Sequence, residues 1–174
     1  MQIAINGFGR IGRQAFKVAF GRKGIKIVGI NDLTDTKTLA HLLKYDTAYG
    51  KYEKEVSFDE KNIIVDGDKI PVFAEKDPSA LPWEKLKVDV VLECTGRFTD
   101  KAGAELHLKA GAKKVVISAP AKGGDVPTYV RAVNCAKCKT EDSNVINNAS
   151  CTTNSIGPVM AVLNEKFGIE KAMM

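Results

Sequence analysis

At 174 residues, 44% hydrophobic and 27% charged, the chain has the make-up of a soluble globular protein and the length for one sizeable core, with room for part of a second domain. Its net charge of +5 comes mostly from scattered lysines without an arginine cluster and interleaved aromatics, which argues against a nucleic-acid partner. No apolar run approaches membrane-spanning length, the opening residues do not read as a secretory leader, and four cysteines without a secretory context read as reduced thiols; the expected compartment is the cytoplasm, with no membrane partner.

In chain order, QIAIN predicts a short apolar strand, and Ile11, Ala15, Val18 and Ala19 then recur at helical spacing up to Gly21. IKIVGI reads as a second strand closed by Asn31 and Asp32, and residues 38–43 read as a helix. NIIVDGDKIPVF places Asp66-Gly67 between two β-rich runs; Asp-Gly suits a type I′ turn, so an antiparallel hairpin is expected at the sheet edge. Pro78 and Pro82 punctuate a loop before VDVVLECT, a near-continuous apolar run of the kind a parallel strand covered on both faces requires. Asp89 and Glu93 on it read as strand-end polarity. Residues 100–110 predict a helix capped by Gly111, KKVVIS another buried strand, and residues 121–125 a loop. This alternation predicts a doubly wound, mostly parallel Rossmann-type α/β sheet. The last apolar run, SIGPVMAVLNEKF, reads as a helix whose stripe Ile156, Val159, Met160, Leu163 and Phe167 faces a core.

Between the first strand and first helix, GFGRIG sets Gly7, Gly9 and Gly12 in G-x-G-x-x-G spacing. The first glycine permits a tight turn, the second lets backbone approach a pyrophosphate, and the third lets helix and strand pack closely. About twenty residues later Asp32 closes the second strand, where a carboxylate accepts hydrogen bonds from both ribose hydroxyls of NAD and repels the 2′-phosphate of NADP. NAD is therefore the expected cofactor. Open α/β sheets bind ligands at the carboxyl ends of their strands, which adds Thr95, Gly96, Ser118 and Ala119 as candidate contacts, with ordinary turn chemistry as the alternative.

NNASCTTNS places Cys151 just before the last helix. A thiol at a helix N-terminus meets unpaired N–H donors and the positive end of the backbone dipole, which favour thiolate, so Cys151 is a candidate nucleophile; a small buried hydrophobe is the alternative. Cys135 and Cys138 form C-A-K-C, but neither histidine nor a second cysteine pair lies at ligand spacing, so no metal site is expected and the pair reads as incidental to a polar loop.

Taken together, GFGRIGR, INDL, ECTGRF, VISAP, VPTYV and above all ASCTTN resemble the phosphorylating glyceraldehyde-3-phosphate dehydrogenases over essentially the whole chain. The resemblance implies that Cys151 attacks an aldehyde to give a hemithioacetal, that hydride passes to NAD, and that inorganic phosphate cleaves the resulting thioester to an acyl phosphate. It implies a cofactor site including Asn6, Phe8 and Phe98, with Arg10 and Ile11 at the pyrophosphate, Asp32 at the ribose, Lys76 near the adenine and Ser118 close by. Ser150 and Thr152 flank the substrate, and the Cys151 N–H helps hold the oxyanion. Leu33, after Asp32, is similar to NAD-specific members, and a homotetramer is implied. Family members place a histidine downstream of the nucleophile, whereas this chain has only His41 and His107. The expectation is a nucleotide-binding domain over residues 1–149 followed by the start of a catalytic domain over residues 150–174. Ser155 stands where many members carry a second cysteine, so it cannot form an oxidised pair with Cys151.

Overall fold

The computed structural model describes residues 1–137 and 143–173. QIAIN forms strand β1 (Gln2–Asn6), GFG turns the chain, and helix α1 (Arg10–Ala19) carries it back to β2 (Lys26–Asn31). Helix α2 (Thr36–Lys44) is capped by Asp35, whose side chain accepts the Thr38 N–H and so satisfies one of the free donors of the first turn. Two short strands, β3 (Tyr45–Asp46) and β4 (Gly50–Lys51), form a separate antiparallel pair. Strands β5 (Val56–Phe58), β6 (Asn62–Val65) and β7 (Asp68–Phe73) follow, with Asp66 and Gly67 both at positive φ (48° and 87°) as a type I′ turn requires. Strand β8 (Val90–Glu93), helix α3 (Lys101–Lys109), strands β9 (Lys114–Ile117) and β10 (Val145–Asn147) and helix α4 (Cys151–Phe167) complete the described chain.

The main sheet has the order β10-β9-β8-β1-β2-β7-β6-β5. From β10 to β7 every pairing is parallel, and β6 and β5 close one edge antiparallel. The expected Rossmann-type sheet is therefore present, with the hairpin at its edge. Strand β1 has β2 on one side and β8 on the other, so the topology switches direction there and opens a crevice at the carboxyl ends. Asn6, Asn31 and Glu93 stand in register across that crevice.

Phe8, Phe16, Ile30, Leu39 and Leu43 pack one core, and Trp83, Val88, Val91 and Ala110 pack a second. Gly111, at φ 100°, ends α3 as expected; a Cβ there would lie 2.8 Å from the Glu84 backbone nitrogen.

Helix α1 forms where the spacing predicts it and buries Gly12, Phe16 and Ala19, while Ile11 and Val18 point outward, because the close helix–strand approach at Gly12 fixes which stripe faces the sheet. Two expectations are corrected. Glu93 is no strand-end polar residue at the surface: it is 1% exposed and fully engaged by donors. In α4 no residue is buried, and Val159 and Phe167 are 56% and 83% exposed, so the apolar stripe faces solvent. The helix follows the edge strand β10, and at Gly157 its near neighbours are Val130 and Val133.

Candidate cofactor and nucleophile site

At the switch point a cleft of about 270 Å³ opens between the ends of β1, β2, β7 and β8. Of the residues anticipated from sequence, Asn6, Gly7, Gly9, Asn31, Asp32, Lys76, Thr95 and Phe98 line it. A larger cleft of about 610 Å³ between α2 and β5 gathers none of the motif residues.

The glycines divide the work by geometry. Gly7 has φ 88°, and a Cβ on it would come within 2.7 Å of the Thr95 nitrogen; a Cβ on Gly12 would come within 2.1 Å of the Gly7 carbonyl oxygen. Both are needed for backbone-to-backbone packing. A Cβ on Gly9 would meet nothing within 4 Å, so the space over the α1 N-terminus is open to a ligand. Gly9 caps α1 without a side-chain bond, and the first turn holds no acid, leaving the terminal N–H groups and the exposed Arg10 for an anion.

Asp32 holds this loop. Its Oδ2 accepts the Phe8 N–H at 2.7 Å and its Oδ1 the Thr34 N–H at 3.0 Å, and each oxygen keeps a further lone pair for a ribose hydroxyl. The residues present thus fit a dinucleotide: open backbone donors for the pyrophosphate, an acid for the ribose, and Lys76 and Phe98 also lining the cleft.

Several anticipated residues lie elsewhere. The Phe8 side chain is fully buried, edge-on to Phe16 at 5.6 Å, so only its backbone reaches the loop. Ile11 is 55% exposed beside Arg10 on the outer face of α1, Gly12 is internal, and Gly96 stands just past Thr95 outside the cleft wall. Ser118 and Ala119 close β9, one strand farther along, where the Ser118 N–H donates to the Glu93 carbonyl at 3.0 Å. Glu75, Cys94 and Arg97 line the cleft without having been singled out. Burial pushes the Cys94 thiol up to about 11, countered in part by a hydrogen bond with Ser118.

Cys151 is the first residue of α4 and is exposed. The Ser150 hydroxyl caps the helix by accepting the Thr153 N–H at 2.9 Å, and helix geometry leaves the Cys151 and Thr152 N–H groups free. The turn before it is fastened from inside. Buried Asn147 donates to the carbonyls of Val126 and Pro127 and to Thr128 Oγ1 and accepts the Ala149 N–H at 3.0 Å, which holds Ala149 at φ 57°. Asn154 reaches back to the carbonyls of Asn148 and Ser150. Nothing in the sequence reading marked Asn147, since an asparagine in a polar run gives no sign of which way it points.

The polar neighbour of the Cys151 sulfur among the described residues is Thr152 Oγ1, at 4.0 Å. His107 is buried against Trp83 and Glu93, and His41 packs on Tyr45, so neither serves the thiol. Cys135 is exposed in a short 3₁₀ turn, and Cys138 lies outside the described residues. No group of three or more metal-ligating side chains occurs among the described residues, and no helix among them is long and apolar enough to cross a membrane.

The profile of the glyceraldehyde 3-phosphate dehydrogenase NAD-binding domain matches residues 1–101, and that of the C-terminal domain of the same enzymes matches residues 150–174. The chain is 56% identical over 175 aligned residues to the glyceraldehyde-3-phosphate dehydrogenase of Thermotoga maritima, covering 99% of this chain and 52% of that protein. It is 54% identical to glyceraldehyde-3-phosphate dehydrogenase 1 of Bacillus cereus, over 99% of this chain and 52% of the relative. For the Geobacillus stearothermophilus enzyme the identity is 52%, over 100% and 52%. The chain thus spans about half the length of the curated relatives it matches. With an NAD-binding domain profile over most of its length and this identity across the whole of it, the chain belongs to the glyceraldehyde 3-phosphate dehydrogenase family.

Proposed function

We propose that the protein is an NAD-dependent phosphorylating dehydrogenase of glyceraldehyde 3-phosphate, with Cys151 as the nucleophile. The observation that carries this reading is that Cys151 stands exposed at the N-terminus of α4, directly after β10, on the same carboxyl-end side of the parallel sheet as the Asn6–Asp32–Thr95 cleft.

The Gly7–Gly9 backbone and the α1 N-terminus take the pyrophosphate, with Arg10 and Ile11 at its side. Asp32 takes the ribose hydroxyls, and Lys76 and Phe98 flank the base. Bound NAD supplies the two-electron acceptor. The Cys151 sulfur, having lost its proton, bonds to the aldehyde carbon, and the free Cys151 N–H at the helix start donates to the developing oxyanion between Ser150 and Thr152. Once oxidised, the acyl group rests on Cys151 as a thioester; inorganic phosphate then displaces the sulfur, giving an acyl phosphate and the thiolate. Residues 1–149 form the cofactor domain and residues 150–174 begin the catalytic one, in a cytoplasmic homotetramer.

Acid–base assistance typically contributes about a hundred- to ten-thousandfold, and no such group faces Cys151 among the described residues. We place the missing groups in the half of the relatives' length that these 174 residues do not span. The exposed apolar stripe of α4 supports this, as a surface made to be covered. Titration calorimetry of the 174-residue chain is expected to show NAD binding, with little turnover of glyceraldehyde 3-phosphate. Adding the downstream segment restores turnover, and Cys151→Ser abolishes it. Failure to bind NAD, or restored turnover that survives Cys151→Ser, would sink the reading.

A further inference from the structure

Glu93 is buried in the apolar strand β8, where a carboxylate is costly and a residue of similar volume without charge would be cheaper. Every acceptor position on it is used. Oε2 takes the Asn6 side-chain amide at 2.5 Å and His107 Nε2 at 3.0 Å; Oε1 takes the Thr95 N–H at 2.8 Å and, in a short contact, the Thr95 hydroxyl. Four donors around two oxygens match the carboxylate form.

The histidine is fixed from behind. The Trp83 indole N–H, which can only donate, gives its proton to His107 Nδ1 at 3.0 Å, so the ring proton sits on Nε2 and points at Glu93. The hydrogen bonds therefore converge on Glu93: Trp83 donates to His107 and His107 to the carboxylate from the core side, and from the other side the carboxylate accepts from Asn6 and Thr95. Both of those residues line the dinucleotide cleft. Asn6 Oδ1 in turn accepts the Asn31 amide at 2.7 Å, and the Asn31 carbonyl accepts the Gly7 N–H at 2.8 Å. The ends of β1, β2 and β8 are thus tied at one point, and Gly7 lies in backbone contact with Thr95 there.

We propose that Glu93 and His107 are positioning residues of the NAD site: they touch no cofactor themselves and set the distance between the glycine loop and the Thr95 wall. A carboxylate that merely satisfied its neighbours could stand anywhere in the core; this one joins two strand ends at the switch point. Glu93→Gln turns an N–H toward one pair of donors, so either Asn6 with His107 or Thr95 must retreat. The inference rests on the proposed cofactor reading of the cleft.

The test is the dissociation constant for NAD, by calorimetry on the 174-residue chain, at a temperature where circular dichroism shows each variant folded. Glu93→Gln is expected to weaken binding at least fivefold. Val115→Ala, a buried change on the neighbouring strand β9 outside this network, is expected to lower the melting temperature while leaving binding within twofold. If Glu93→Gln does not fold, His107→Gln replaces it under the same fivefold criterion. A smaller loss in the network variant, or an equal loss in Val115→Ala, overturns the proposal. Absence of NAD binding by the unmodified chain would instead overturn the reading of the cleft.

Discussion

The Phe8 N–H donates to Asp32 Oδ2 at 2.7 Å, so the acid that closes β2 is fastened to the glycine loop that follows β1. One side chain therefore shapes the loop and, in the proposed function, also takes the ribose, and the two tasks are separable. Asp32→Asn keeps an acceptor for the Phe8 N–H and removes the charge, whereas Asp32→Ala removes both. The unmodified chain is expected to prefer NAD to NADP by roughly tenfold or more, because a 2′-phosphate would meet the carboxylate. Asp32→Asn should collapse that preference with modest loss of NAD affinity, and Asp32→Ala should lose NAD affinity as well. Equal affinities for the two dinucleotides in the unmodified chain would remove Asp32 from the site.

The second and third glycines should fail in different ways. Gly12→Ala drives a methyl group to 2.1 Å from the Gly7 carbonyl oxygen, an overlap of backbone that only a shift of α1 relieves. A loss of about 2–3 kcal/mol in unfolding free energy is expected, and NAD binding with it. Gly9→Ala meets no atom within 4 Å, and Gly9 has an ordinary φ of −73°. Its stability should change by less than about 0.5 kcal/mol, while NAD affinity falls tenfold or more if the pyrophosphate crosses that space. Denaturant unfolding and calorimetry on the same samples check both; unchanged affinity in Gly9→Ala would show that the ligand passes elsewhere.

The parts of this molecule that sequence made legible are those whose physics is local. Asp66-Gly67 dictates its turn, apolar runs dictate parallel strands, and Gly7, Gly9, Gly12 and Asp32 carry their spacing openly. The burial of Glu93 is not legible, because a charged residue at a strand end looks the same whether it meets water or four donors that arrive from residues 6, 95 and 107. The exposure of the α4 stripe is hidden for the opposite reason: periodicity states that a face is apolar, not what covers it. Asn147 escaped because its partners, at residues 126–128, are set by the tertiary path of a loop.

That loop yields a further prediction. Asn147 is 2% exposed, and its amide serves two carbonyls and a hydroxyl while its oxygen holds the Ala149 N–H. Asn147→Ala strands these groups, and a buried unsatisfied donor or acceptor costs about 1–3 kcal/mol. A drop of about 2–4 kcal/mol is expected in unfolding free energy, allowing for relaxation of one partner to water. Because the same amide restrains the left-handed Ala149 ahead of Ser150, proteolysis between residues 147 and 151 should also accelerate. Stability within about 0.5 kcal/mol of the unmodified chain would show that these bonds do not hold the turn.

Thiol reactivity tests the placement of Cys151 against two internal controls. Alkylation requires thiolate and access. Cys94 lines the cleft with its thiol pushed up to about 11 by burial, so at neutral pH it should remain essentially unlabelled, and its labelling should rise with pH only as pH approaches that value. Cys135 is exposed but lies in a three-residue 3₁₀ turn, with access and no helix terminus behind it. Cys151 is exposed at the start of a 17-residue helix whose first N–H groups are free to stabilise the anionic sulfur. The expected order with iodoacetamide at pH 7, read by peptide mass mapping, is Cys151 faster than Cys135, and both far faster than Cys94. Ser150→Ala adds a direct check, since losing the cap frays the turn that aligns those N–H groups; Cys151 should then slow toward the Cys135 rate while staying equally exposed. If Cys135 reacts first in the unmodified chain, exposure alone governs these thiols and the terminus of α4 gives Cys151 no advantage as a nucleophile.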